Sequence, residues 1–321
     1  MDQNLQIFFS TVIAVFLEAS PFLLLGAFLS ALFEVYLPMD RIHRYLPKSK
    51  LLGLLFGLFA GMLVPTCECG VVSIVRRFLQ KDIPPHVAIT YMLSAPVINP
   101  LVLAATYIAF QGNIWMVLGR SSLVAACACS LGWTLSGINP ALLLRRRTSN
   151  ALFDPELSAC AHSNKLDQPT PTLRMAHDCR NNCESPRGSR FSQVFVHTAA
   201  EFMDMGKYLI LGGIIVAVIK IVLPEEILLV FQENTFLAVG AMMLLAMLLS
   251  VCSEADAFVA AAFSTFPAVA RLSFVSIGPM VDIKLVFMYA SVFKTRIVIA
   301  LIVVPTILVY FLSILLGLAM R

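Results

Sequence analysis

Three cysteines and five ionisable side chains stand where an apolar chain has least tolerance for them. Cys67, Glu68 and Cys69 lie between Pro65 and Gly70; Cys252, Ser253, Glu254 and Asp256 follow in one short run; Asp282 and Lys284 sit just beyond Gly278-Pro279. Thiolates favour soft ions such as Cu(I), Zn(II) or trivalent arsenic over hard cations. A carboxyl in hydrocarbon costs several kcal/mol unless it is paired, solvated or protonated, so acids there are candidates for relaying protons. Each feature also has a plainer reading. A buried Cys serves as a small residue at tight helix packing, and Lys284 can form a structural ion pair or reach for the interface.

The surrounding chain must place these groups at bilayer depth for that chemistry to arise. Of 321 residues, 59% are hydrophobic and 13% charged, against roughly 45–50% and 25% in soluble domains. Segments 7–33, 86–110, 114–138, 193–223 and 297–319 are mostly apolar, and each is long enough to cross a core that needs about 20 helical residues. They lack the alternation of a membrane barrel, so the expected class is an all-α polytopic membrane protein. The first apolar run has no basic n-region or cleavage site, and it is expected to be a retained helix. With a net charge of +4 concentrated in loops, the chain has a partner in the lipid bilayer and none in nucleic acid.

The breaks come in ordered pairs. Pro65-Thr66-Cys67-Glu68-Cys69-Gly70 matches Cys252-Ser253-Glu254-Ala255-Asp256, and Ser94-Ala95-Pro96-Val97-Ile98-Asn99-Pro100 matches Gly278-Pro279-Met280-Val281-Asp282. Leu23-Leu24-Leu25-Gly26 aligns without gaps on Leu209-Ile210-Leu211-Gly212. A duplication into a first membrane repeat, 1–138, and a second, 193–321, is expected. Unwound helices at repeat interfaces are where carriers bind their cargo. Cys67, Cys69, Cys252, Ser94, Asn99 and Ser253 are therefore candidate substrate contacts, and Glu68, Glu254, Asp256, Asp282 and Lys284 candidate proton-coupling groups. Pro65, Gly70, Pro96, Pro100, Gly278 and Pro279 are the expected breakers. Glu18 and Asp204 align as a further acid pair, with Glu201 competing for that role. Cys127 and Cys129, on a span expected to hold no other polar break, read as packing residues.

Residues 139–192 carry Arg145-Arg146-Arg147 and many Pro, Ser and charged residues, which predicts a flexible cytoplasmic linker. Its Cys160, His162, His177, Cys179 and Cys183 match no standard zinc spacing, and a metal remains open there. Loops 41–50 and 76–81 are also basic. Putting all three basic regions on one face requires 51–80 to be a re-entrant hairpin. Its counterpart near 236–269 then enters from the other face, after the acidic Pro224-Glu225-Glu226, and the halves become inverted. Eight simple parallel spans are the alternative.

No phosphate-binding glycine loop, zinc-protease helix or nucleophile elbow occurs, so the expectation is a non-enzymatic protein without a cofactor. Taken together, Cys67-Glu68-Cys69-Gly70-Val71-Val72, Arg76-Arg77 and Ala95-Pro96-Val97-Ile98-Asn99-Pro100, followed by Cys252-Ser253-Glu254-Ala255-Asp256-Ala257-Phe258 and Gly278-Pro279-Met280-Val281-Asp282, resemble the predicted permease family that contains the bacterial ArsP-type organoarsenical efflux permeases. That resemblance implies a bacterial inner-membrane permease, with eight transmembrane segments as the common expectation, and arsenic resistance by efflux as one outcome. The resulting expectation is a secondary carrier exporting a small solute such as a trivalent organoarsenical, with a homo-oligomer left open. Movement of another anion or metal ion is an alternative. So is a membrane thiol oxidoreductase or scaffold, motivated by Cys67-x-Cys69.

Overall fold

The computed structural model describes residues 3–36, 49–63, 66–138, 140–145, 190–222 and 234–319. Pro65, most of loop 41–50, the linker cysteines and histidines and Pro224-Glu225-Glu226 lie outside the described residues, as do the side chains of Glu18, Glu201 and Asp204. The described chain is helical, and its one strand-like feature is an isolated bridge between Leu144 and Phe293.

A long helix, α1 (Gln3–Tyr36), opens the chain, followed by two shorter ones, α2 (Lys50–Leu63) and α3 (Glu68–Gln80). Then come α4 (Pro85–Ser94), α5 (Pro100–Ala109), α6 (Ile114–Leu135) and the single turn α7 (Pro140–Leu143). The second stretch runs α8 (Arg190–Val222), α9 (Thr235–Leu249), α10 (Asp256–Ala262), α11 (Ala268–Ile277), α12 (Ile283–Val292) and α13 (Thr295–Ala319). Helices Ile114–Leu135 and Thr295–Leu318 are long and apolar enough, by length and composition, to cross a membrane.

The breaks are made by local chemistry. Pro84 and Pro267 stand at the N-caps of α4 and α11 with nearly the same backbone angles (φ −55, ψ 134 and φ −55, ψ 146). Each of these helices is 10 residues long, and so is the helix after each break. At 1.5 Å per residue, two such helices end to end reach about 30 Å, a length equal to a bilayer core, with the break at its middle. Asn99 caps α5 by accepting from the Val102 N–H at 2.9 Å, and Asp282 caps α12 by accepting from the Leu285 N–H at 2.6 Å. These caps satisfy backbone donors that lipid could not. Two expected breakers act otherwise. Gly70 lies inside α3, and Pro100 occupies the first turn of α5, where its missing N–H is harmless.

Close packing depends on small residues. Gly53, Gly57 and Gly61 are buried on one face of α2, and a Cβ on Gly57 would lie 2.7 Å from the Val87 carbonyl oxygen of α4. This stripe lets two backbones approach as bulkier residues would not. The aligned glycines behave alike: a Cβ on Gly26 would meet Gly70 Cα of α3 at 2.6 Å, and one on Gly212 would meet Lys284 Cα of α12 at 2.9 Å. Gly212→Leu is expected to push α8 from α12 and cost about 1–3 kcal/mol, as overpacking does. Thermal unfolding of detergent-solubilised protein reads this out.

The elements also fix direction. After α7, the Arg145 N–H donates to the Val292 carbonyl at 2.9 Å, and the Lys294 N–H donates to the Leu143 carbonyl at 3.0 Å. The end of α6 therefore lies near the start of α13. At the other end, Arg271 of α11 sits over the Phe110 ring at 5.8 Å, a Cβ on Gly119 would lie 3.0 Å from Leu272, and one on Gly317 would lie 3.3 Å from Val269. Helices α6 and α13 thus run antiparallel. So do α4 and α11, because the first turn of α4 lies against the start of α2, where a Cβ on Gly53 would strike His86. One end collects Lys50, Lys81, Arg145, Lys294 and Arg296; at the other, the described connecting residues Gln111, Gly112, Asn113, Asn234, Ser264 and Thr265 include no Lys or Arg, and Arg271 of α11 is the basic side chain placed beside them.

Candidate functional site

Four helix N-termini meet the breaks, and three of them carry an acid. Glu68 and Asp256 lie in the first turns of α3 and α10, and Asp282 caps α12. A helix N-terminus bears partial positive charge, which favours a carboxylate there. The fourth, at α5, has the neutral Asn99 instead. All three acids are buried, at 1% exposure each. Charges this deep need partners.

Lys284 supplies one centre. Its Nζ donates to Glu68 Oε1 at 3.2 Å and lies 3.5 Å from Asp282 Oδ2, with the lysine side chain 4% exposed. The second oxygen of Glu68, Oε2, faces the Cys252 thiol at 3.9 Å. Cys69 neighbours Cys67, Glu68 and Lys284, and the Cys67 sulfur caps α3 by accepting from the Gly70 N–H at 3.3 Å. Tyr289 closes this layer by donating to the Met280 carbonyl at 3.2 Å.

Arg120 supplies the other centre. One guanidinium nitrogen, Nη2, donates to Asp256 Oδ2 at 2.7 Å and to the Ser253 carbonyl at 3.2 Å, while Nη1 donates to Thr106 Oγ1 at 2.7 Å. The side chain is fully buried. Asp256 and Asp282 both lie within electrostatic reach of Glu68, so the two centres form one charged layer between the chain's two stretches.

Arg120 corrects the expectation that the span bearing Cys127 and Cys129 holds no other polar break. Its signal is plain: an arginine inside a 22-residue apolar helix is too costly in lipid to face outward, so it marks an inward partner. The structure gathers Cys67, Glu68, Cys69, Cys252, Ser253, Asp256, Asp282 and Lys284, with half-buried Glu254 in the turn beside them. Ser94 and Asn99 are engaged locally instead. Ser94 donates to the Tyr91 carbonyl at 3.3 Å, and the Asn99 amide donates to the Ala95 carbonyl at 3.2 Å. Pro96 and Pro279 lie in the turns between the paired helices, and Gly278, at φ −47 and ψ −55, is the C-cap of α11 at the start of its turn. Among the described residues no three His, Cys, Asp or Glu side chains are arranged to hold a metal ion.

Such a layer suits the passage of a small solute past paired charges, and comparison with known proteins agrees in class. The profile of the ArsP_1 family, described as predicted permease, matches residues 4–320. The chain is 39% identical over 299 residues to a protein of Streptococcus mutans named "Putative two-component membrane permease complex subunit", covering 92% of this chain and 88% of that one. It is 37% identical over 298 residues to "UPF0718 protein YcgR" of Bacillus subtilis, covering 91% of each. No solved structure matches significantly. Across nearly its whole length, then, this chain belongs to the ArsP_1 family of predicted permeases.

Proposed function

We propose that this permease is a secondary carrier of the bacterial inner membrane that exports a small solute such as a trivalent organoarsenical, with protons as the coupling ion. The observation that carries the reading is the convergence of Glu68, Cys252, and the pair Asp282 and Lys284, drawn from three separate helix breaks, on one buried contact layer. Cys67, Cys69, Cys252 and Ser253 would contact the cargo, with Ser94 and Asn99 shaping the break beside them. Glu68, Glu254, Asp256, Asp282 and Lys284 would exchange the coupling proton.

In this reading residues 1–138 and 193–321 are inverted repeats, and 139–192 is a cytoplasmic linker. Equal helix lengths at the two broken spans and the antiparallel courses of α6 and α13 support inversion. The basic end is cytoplasmic by the positive-inside tendency. Helices α2–α3 and α9–α10, each too short to cross, become re-entrant hairpins entering from opposite faces. Given the name of the Streptococcus relative, a second membrane component is a reasonable partner, and a homo-oligomer is the other arrangement.

Reconstituted liposomes test this. An imposed proton gradient is expected to drive methylarsenite flux, and the triple variant Cys67→Ser, Cys69→Ser, Cys252→Ser is expected to lose it at least tenfold. Gradient-driven flux of other anions or metal ions, with the arsenical excluded, would move the cargo assignment. Absence of any flux together with a reversible Cys67–Cys69 disulfide would favour the thiol oxidoreductase reading, which the adjacency of those two thiols otherwise motivates.

A further inference from the structure

Both ion pairs join a hairpin tip to the opposite stretch of chain. Glu68 begins α3, the second arm of the α2–α3 hairpin, and its cation Lys284 belongs to α12. Asp256 begins α10, the second arm of the α9–α10 hairpin, and its cation Arg120 belongs to α6, with Thr106 of α5 steadying the guanidinium. The packing repeats the same exchange, since α3 lies on α12 and α10 lies on α5. Neither pair reaches solvent: the side chains of Arg120 and Asp256 are 0% and 1% exposed, and those of Lys284 and Glu68 are 4% and 2%.

The two hairpins are rooted at opposite ends. The first starts at Lys50 and ends at Gln80, on the basic end, while the second starts at Thr235 and ends at Ala262, on the end with Gln111. A hairpin is held by its two roots and is free at its tip. It fills only the half of the membrane between its roots and the middle, so displacing its tip opens that half and leaves the other closed. Bistable elements of this kind are what allow one site to face two sides in turn.

We propose that Arg120–Asp256 and Lys284–Glu68 are the two gate latches of this permease, each sealing one face, and that Arg120 is a gating residue for the face bearing Gln111. With both latches closed, as here, the layer around Cys252 is occluded. Release of Asp256 from Arg120 opens it toward the Gln111 face; release of Glu68 from Lys284 opens it toward the face bearing Lys294. Arg120 also carries a buried Nε with no hydrogen-bond partner among the described residues. The closed latch thus leaves a donor unsatisfied that water reaches once the gate opens, which offsets part of the attraction that holds it shut. The inference rests on the re-entrant carrier reading but requires no particular cargo.

The test uses a chain with Cys252 as its only cysteine, reconstituted in either orientation and exposed to a membrane-impermeant thiol reagent. The parent is expected to label slowly from both faces. Arg120→Gln should raise the labelling rate about tenfold or more from the Gln111 face alone, and Lys284→Met should do the same from the Lys294 face alone, because removing one partner of a buried pair strongly disfavours the closed arrangement. The charge-swapped Arg120→Asp/Asp256→Arg chain should restore slow labelling, which separates a lost latch from a misfolded protein. Increased labelling from both faces in either variant, reversal of the faces, or no increase in both would overturn the proposal. Face-selective labelling of these chains with no arsenical flux through the wild-type chain would retain the latches and discard the cargo; wild-type flux without face-selective labelling would retain the carrier and discard the latches.

Discussion

Lys284→Met is expected to abolish flux and to lower the thermal unfolding midpoint of the solubilised protein by on the order of 10 °C. The Lys284 ammonium lies 3.2 Å from Glu68 Oε1 and 3.5 Å from Asp282 Oδ2. Its removal strands two carboxylates in a layer where each is 1% exposed. Breaking a buried pair from one side costs about 3–5 kcal/mol, whereas replacing both partners with apolar or neutral groups is often close to neutral. The double variant Lys284→Met/Glu68→Gln should therefore regain at least half of the lost stability without regaining flux. Equal stability of the single and double variants would show that the pair contributes no net attraction. Because Asp282 also caps α12 through the Leu285 N–H, Asp282→Asn should retain the cap and cost less than Asp282→Leu, by about 1 kcal/mol.

Arg120→Leu is expected to be as severe. It removes the cation from Asp256 and leaves the Ser253 carbonyl without its Nη2 donor and the Thr106 hydroxyl without its Nη1 donor. A loss of about 3–5 kcal/mol follows for the stranded charge. Arg120→Lys preserves charge but not the fork that reaches Asp256, Ser253 and Thr106 together, so it should fall between wild type and Leu. Thr106→Val deletes one neutral partner of a charged group and should cost only about 1–3 kcal/mol. A double-mutant cycle across Arg120 and Asp256, read by thermal unfolding, isolates the pair itself. Coupling below about 0.5 kcal/mol would place the stabilisation elsewhere.

The positions of the helix breaks were legible because they depend on residues with strong local rules. Pro96 and Pro279 lie in the turns and Asn99 and Asp282 cap the helices that follow, whereas Pro21 and Pro305 stay inside long helices, and the structure puts a 10-residue helix on each side of both breaks. Polar residues in apolar runs were equally readable, and Glu68, Asp256, Asp282 and Lys284 all reach the charged layer. What the local pattern hides is pairing. Nothing near residue 120 shows that its partner is Asp256, more than a hundred residues away, because that contact depends on the packing of α10 against α5 and on the course of α6. The four-residue spacing of Gly53, Gly57 and Gly61 in α2 was not among those readings, and the helix they approach is evident only from the fold. For Ser94 and Asn99, expected as cargo contacts, the fold adds a local role that their types did not reveal: their side chains serve the backbone of that same break.

The arrangement of the two stretches as inverted halves of a carrier is tested most directly by placing one cysteine at Gln111 or at Lys294, both exposed, in chains otherwise free of cysteine. Each lies just after the second half of a broken span, α5 or α12. Labelling intact cells with a membrane-impermeant thiol reagent is predicted to mark the Gln111→Cys protein and to leave the Lys294→Cys protein unmarked until the membrane is permeabilised. Labelling of both positions from the same face would contradict inversion and restore a parallel set of spans.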